Sequence, residues 1–282
     1  MKKYAVLLTF ALSLPFPAAA GVLVTDIGGR VAHDGQAAES VQLMAELGDG
    51  SSVTLESGAH LVAVDLNSGR EYVFSAPGRY RIDKSGPRAL DGGKVETVAL
   101  PASKLPVVKI ATGRVAQATL VMRGAQKKPT TQSVSASPLN TAVLTTTPTL
   151  LWPANSEASA IHITLLDSAG KLLLQTTVHN VNAFPLPTEA KLQAGGHYVW
   201  QARTEREGRP LAEYGGEFSV LKSAEAERLK RFQPTASAEF SRRALYAALL
   251  MEAGAKEEAR KYWQELRTER PDDPALAKLA QP

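Results

Sequence analysis

Between Gly21 and about Gly124 apolar positions come in short alternating runs broken by glycine. Val22-Leu23-Val24 precedes Gly28-Gly29, and Val41-Gln42-Leu43-Met44 leads to Gly48-Asp49-Gly50. Val53-Thr54-Leu55, Leu61-Val62-Ala63-Val64, Tyr72-Val73-Phe74 and Tyr80-Arg81-Ile82 follow, with Gly58, Gly69 and Gly78 between them. Runs this short, at spacings near ten residues, predict an all-β roll or sandwich over residues 21–124, with no helical spacing. Two hairpin-like units resemble each other: Gly50, Val53, Leu55, Gly58 and Leu61 return as Gly69, Tyr72, Phe74, Gly78 and Tyr80. Such a unit is expected to stack edge to edge with its copy.

Residues 125–147 change character. Lys127-Lys128-Pro129 gives way to a Ser/Thr/Pro-rich stretch ending at Thr145-Thr146-Thr147, which reads as an extended linker with little to bury. Strand patterns then resume over 148–221. Leu150-Leu151-Trp152, Ile161-His162-Ile163-Thr164-Leu165 and Leu172-Leu173-Leu174 come first, and Tyr198-Val199-Trp200 and Phe218-Ser219-Val220 close the unit.

After Leu221 the period becomes helical through the tail 222–282. Ser223 is expected to cap a first helix, with Glu225 and Glu227 near its start and Lys230 and Arg231 near its end, as the helix dipole favours. A second helix is predicted from about Ser237 to Ala253, stopping at Gly254. A third runs from Lys256 to about Glu269, with Ala259, Tyr262, Trp263 and Leu266 on one face. The fold class expected overall is mainly β with a small helical C-terminal part.

Three resemblances follow from these residues. Asp49-Gly50-Ser51-Ser52-Val53-Thr54-Leu55 leading to Ala59-His60-Leu61-Val62 resembles the domain of FecR-type envelope proteins. Regulators in that family add an anti-sigma segment and a membrane helix, neither of which is read here, so no signalling role is expected. Residues 148–221, with an early Trp152 and a late Tyr198-Val199-Trp200, resemble a fibronectin type III or immunoglobulin-like sandwich, and the absence of cysteine favours the fibronectin-like form. Residues 240–273 resemble one tetratricopeptide repeat: Ala247, Leu250, Gly254, Ala259, Trp263, Leu266 and Pro271 fall at that family's positions. The resemblance implies Ser241, Ala244, Ala248, Met251 and Glu252 on the first repeat helix as partner contacts. A single repeat must lean on the preceding helix, the sandwich or a partner.

At the start of the chain, Lys2 and Lys3, the apolar run Tyr4 to Leu14 and Ala18-Ala19-Ala20 have the order of a cleavable signal peptide over 1–20. Periplasmic or secreted localisation is therefore expected, with no membrane insertion after cleavage. With 0 cysteines the exported chain must be held by packed cores alone. Without Lys2 and Lys3, the 32 basic residues fall to 30 against 28 acidic ones, a mixed surface that does not call for nucleic acid.

Catalytic patterns are searched for without success. His33, His60, His162, His179 and His197 stand singly, so no zinc spacing arises. Asp65-Leu66-Asn67-Ser68-Gly69 resembles the start of a calcium loop but lacks the later oxygen ligands and reads as a turn. Ser168-Ala169-Gly170-Lys171 and Ser219-Val220-Leu221-Lys222 match Ser-x-x-Lys outside the helical start that chemistry needs. Gly92-Gly93-Lys94 is not a phosphate loop, and Glu257-Glu258 and Asp272-Asp273 read as solvated charge. The expectation is a non-enzymatic, cofactor-free binding or assembly protein of the bacterial cell envelope that docks a protein partner. The alternatives are cell-wall or exopolysaccharide binding, for which Tyr72, Phe74 and Tyr80 are the clustered aromatic candidates though their alternation favours the core, and an unrecognised hydrolase.

Overall fold

The computed structural model describes residues 21–33, 40–101 and 136–281. The expected signal peptide 1–20, and residues 102–135 at the end of the first unit and in the linker, lie outside the described residues.

Among the described residues the alternating runs form nine strands: β1 (Gly21–Gly28), β2 (Val31–His33), β3 (Glu46–Gly48), β4 (Ser52–Leu55), β5 (His60–Asp65), β6 (Arg70–Phe74), β7 (Gly78–Asp83), β8 (Gly86–Ala89) and β9 (Val95–Ala99). They make two antiparallel sheets, ordered β3-β1-β5-β6-β9 and β2-β4-β7-β8. The two similar units are not hairpins stacked edge to edge. Each crosses between the sheets, β4 to β5 and β6 back to β7, and the copies pair with each other, Val53 opposite Tyr80 and Leu61 opposite Phe74. Period-two alternation fixes which face is apolar but not which strand is the neighbour. The inward set, including Val53, Leu55, Leu61, Tyr72, Phe74 and Tyr80, forms one core, with Phe74 and Tyr80 edge to face at 5.0 Å. These aromatics are therefore core and not an exposed platform.

A second unit contains β10 (Thr141–Val143), β11 (Thr149–Leu151), β12 (Ala160–Asp167), β13 (Leu172–Val178), β14 (Ala183–Pro185), β15 (His197–Arg206) and β16 (Arg209–Val220). Five strands are ordered β10-β16-β15-β12-β13, and β11 pairs with β14. Trp152 and Trp200, 6.5 Å apart, sit in a core with Leu150, Ile163, Leu165 and Phe218. Residues 136–147, read as linker, belong to this unit. β10 runs parallel to β16, the Trp200 indole N–H donates to Pro138 O at 2.8 Å, and Glu257 accepts from Ser137 Oγ and Leu139 N. A Ser/Thr/Pro composition offers few apolar anchors, and here hydrogen bonds to neighbouring elements supply what the side chains lack.

Four helices follow: α1 (Ser223–Phe232), α2 (Phe240–Glu252), α3 (Lys256–Glu269) and α4 (Pro274–Leu279). Lys222, not Ser223, occupies the cap position of α1, and no side chain caps it. Asp273 caps α4, accepting from the backbone of Ala275 and Leu276, with Pro274 at the first turn, so this carboxylate is structural and not merely solvated. In the α2–α3 hairpin Ala247 and Ala259 are fully buried where the helices meet, together with Leu250, Trp263 and Leu266. Small residues let the two backbones approach, and Trp263 fills the remaining space.

One apolar cluster joins the hairpin, α1 and α4 to Leu23, Leu43, Met44, Val64, Leu66 and Leu100 of the first unit, and to Ala142 and Leu221 beside the second. α2 lies against β1, and α3 against β10. The α2–α3 hairpin therefore shares its core with both β units, which supplies the burial a lone helical hairpin lacks.

Candidate binding site

α2 carries the five residues expected to touch a partner. Ser241, Ala244 and Ala248 are 3%, 0% and 0% exposed, on a helix that packs on the first β unit. Met251 is 36% exposed and Glu252 is also at the surface. The face expected to receive another protein is therefore filled by the chain itself over its first three candidates, and is open only at the C-terminal end of α2. A sequence shows that a helix has an apolar face but not which unit covers it.

Charge fixes this junction. Arg242 pairs with Glu71 of β6 at 3.1 Å, and burial raises the Glu71 carboxyl above its ordinary range, opposed by the Arg242 charge. Arg243 of α2 grips both carboxylate oxygens of Glu269 on α3. That hydrogen bonding raises the guanidinium and holds Glu269 below its ordinary value. Arg270, just past α3, donates to the Ile27 carbonyl at 2.9 Å, stands 2.7 Å from Asp26 and stacks on the Phe240 ring at 3.7 Å. The Asp26 contact is out of line for a hydrogen bond, so it acts as a charge contact. Burial, with help from Tyr262 and Glu258, pushes the Tyr246 hydroxyl up to about 12, and Tyr262 meets it edge to face at 5.1 Å.

Directly after Met251 and Glu252, the α2–α3 turn meets the second unit. The Ala142 N–H donates to Gly254 O at 2.8 Å, and Gly254, with φ +82, supplies the left-handed turn. Beside this seam is an open groove of about 460 Å3 lined by Asn140, His197, Glu217, Ser219, Ala253 and Lys256, among others. It offers one carboxylate, one ammonium, an imidazole and an amide around a partly apolar floor. Met251 and Glu252 do not line it; the residue after them, Ala253, does, and sequence reading missed Glu217, His197 and Lys256, which come from separate elements and share no local signal.

The other chemical candidates resolve into structure. His162 bonds Thr177 Oγ1 at 3.0 Å and pairs with Glu205 at 3.1 Å. Asp65 accepts from Asn67 N, Ser68 N and Ser68 Oγ, closing a turn. Ser168 lies in the β12–β13 turn that Asp167 ties through Ala169 N and Lys171 N, and Ser219 lies in β16. Glu257 holds Ser137 and Leu139, as above, in place of the solvated role read for it. Among the described residues no three or more His, Asp or Glu side chains gather as a metal would need. Among them, too, no helix is long and apolar enough to cross a membrane.

No protein-family description matches the chain, and no curated protein does. Among solved structures, a biofilm-associated protein, BSP domain, is similar at 12% identity and a TM-score of 0.21. The match covers 73% of this chain and 26% of that one, so this chain spans about a quarter of its length.

Proposed function

We propose that this protein is an exported, non-catalytic binding or assembly component of the bacterial cell envelope, and that it docks a protein partner at the seam groove. The observation that carries this reading is the position of Met251 and Glu252. They remain open where the next residue, Ala253, lines a groove with Glu217, His197 and Lys256, while Ser241, Ala244 and Ala248 are buried within the chain. A half-exposed methionine beside mixed charge suits an adaptable protein contact. The shifted ionisable groups at the junction, Glu71, Arg243, Tyr246, Tyr262 and Glu269, are explained by burial and pairing within the fold, so their chemistry is spent on architecture.

Removing everything after Leu221 would be a poor test, because it strips the apolar cover from Leu23, Leu43 and Val64. A photo-crosslinking residue at position 251 in the native envelope is direct. A discrete protein adduct, weakened by the paired changes Glu217→Lys and Lys256→Glu, is expected. No adduct at 251 or 252, or one indifferent to those changes, would overturn docking at this seam.

A further inference from the structure

At the opposite end of the second unit from the seam lies another groove, of about 380 Å3, between the β11–β12 connection and the β13–β14 connection. Its walls hold Asn155, Ser156, Asn180 and Asn182, and its inner side is formed by Trp152, Ala158 and Ile161. None of its lining residues is charged, although 21% of the chain is. A groove without charge gives no hold to a phosphate, a carboxylate or an ammonium group. Its amides equally disfavour a purely apolar occupant, which would leave them without water or partners.

The hydrogen-bonding inventory is specific. The Trp152 indole N–H takes no acceptor among the described residues and, unlike that of Trp263, is not sealed from the surface. The comparable donor on Trp200 is satisfied by Pro138 O at 2.8 Å. The side-chain amides of Asn180 and Asn182 also take no partner among the described residues, while Asn155 uses only its Oδ1, accepting from Glu157 N at 3.0 Å. The backbone around them is fixed. Trp152 N donates to Asn182 O, Ser159 N to Glu205 O, and His179 Nδ1 lies 2.6 Å from Ser159 O. Thr204 is occupied by Ala212 on both sides and serves as wall. Trp152, Ala158 and Ile161 are 3%, 6% and 3% exposed and form only a narrow floor, so the site combines a small exposed apolar rim of Ala154 and Val181, one indole donor and amides that both donate and accept, all on tied loops.

We propose that this groove binds a neutral saccharide chain, whose apolar ring edges meet the exposed Val181 and Ala154 while hydroxyl or acetamido groups pair with the indole N–H at the groove floor and with Asn180 and Asn182. The site is separate from the seam groove and does not depend on protein docking there. Tryptophan fluorescence titration of the purified chain with N-acetylglucosamine tetramer and with cellotetraose tests it, with an uncharged Gly-Ser peptide as comparison. Saturable binding of at least one sugar is expected, weakened about tenfold by the double change Asn180→Gly and Asn182→Ala, in which both side chains are exposed and glycine keeps the left-handed backbone at position 180 (φ 55). Trp152→Phe, which keeps an aromatic ring in the core and removes the indole donor, is expected to weaken binding severalfold, read by titration calorimetry because the change also removes one of the 3 tryptophans. Failure of both sugars to bind, equal binding by the variants, or binding of the peptide alone overturns the proposal. Because no partner protein is present, a failed crosslink at the seam leaves this result untouched.

Discussion

Replacing Arg270 by alanine is expected to loosen the first β unit from the helices, and the loss can be worked from its three contacts. The hydrogen bond from its charged guanidinium to Ile27 O contributes about 1.5–3 kcal/mol. Stacking on Phe240 adds about 0.5–1 kcal/mol at a partly open site. Arg270 is 30% exposed, so the Asp26 contact is screened and contributes at most about 1 kcal/mol. The three share one side chain and do not add fully, giving an expected loss of about 2–4 kcal/mol. Lysine at 270 keeps the charge but not the flat fork that serves Ile27 and Phe240 together, so it should recover less than half. Urea unfolding followed by far-ultraviolet circular dichroism measures this directly. A loss below about 1 kcal/mol for Arg270→Ala, or a lysine variant as stable as the parent, would refute the role given to this residue.

Four further outcomes follow from packing and charge. Trp263→Ala should cost about 3–5 kcal/mol in thermal or urea unfolding, as a fully buried ring is lost from the hairpin. Trp263→Phe should cost much less than its volume suggests, because the indole N–H it removes is buried without an acceptor. For Glu71, burial raises the folded value, so its contribution is present below the ordinary glutamate value of about 4.3 and is lost as pH rises through the raised one. Unfolding free energies measured across this range should therefore shift in favour of Glu71→Gln, relative to the parent, as pH rises. Gly215→Ala should destabilise β16 by roughly 1–3 kcal/mol in the same urea assay, because its Cβ would collide with the Trp200 carbonyl oxygen on β15, and backbone cannot step aside.

The hairpin was legible because its rules are local. Ala247, Ala259, Trp263 and Leu266 lie at helical spacing with small and large residues where two helices must meet, and all four are buried. The β units were legible as classes for the same reason, through alternation and glycine turns. Pairings were not: the nearly repeated strand pairs cross between sheets, a choice made by partners distant in sequence. β10 was hidden in a Ser/Thr/Pro stretch because its support comes from β16 and Gly254 and not from its own apolar content. α4 has a local signal in Asp273-Pro274, an N-cap followed by proline, inside an acidic pair whose composition alone reads as surface charge. The candidate face of α2 shows the deeper limit. Ser241, Ala244 and Ala248, expected as partner contacts, are buried against the chain's own units.

The helices bind the two β units into one cooperative body, and native-state hydrogen exchange read by mass spectrometry probes that coupling residue by residue. Amides of β1 and β5 are expected to exchange with the same opening free energy as those of α2 and α3, and Arg270→Ala to lower both together. Exchange of β1 and β5 at a clearly lower free energy while α2 and α3 stay protected, or an Arg270→Ala effect confined to the helices, would contradict it.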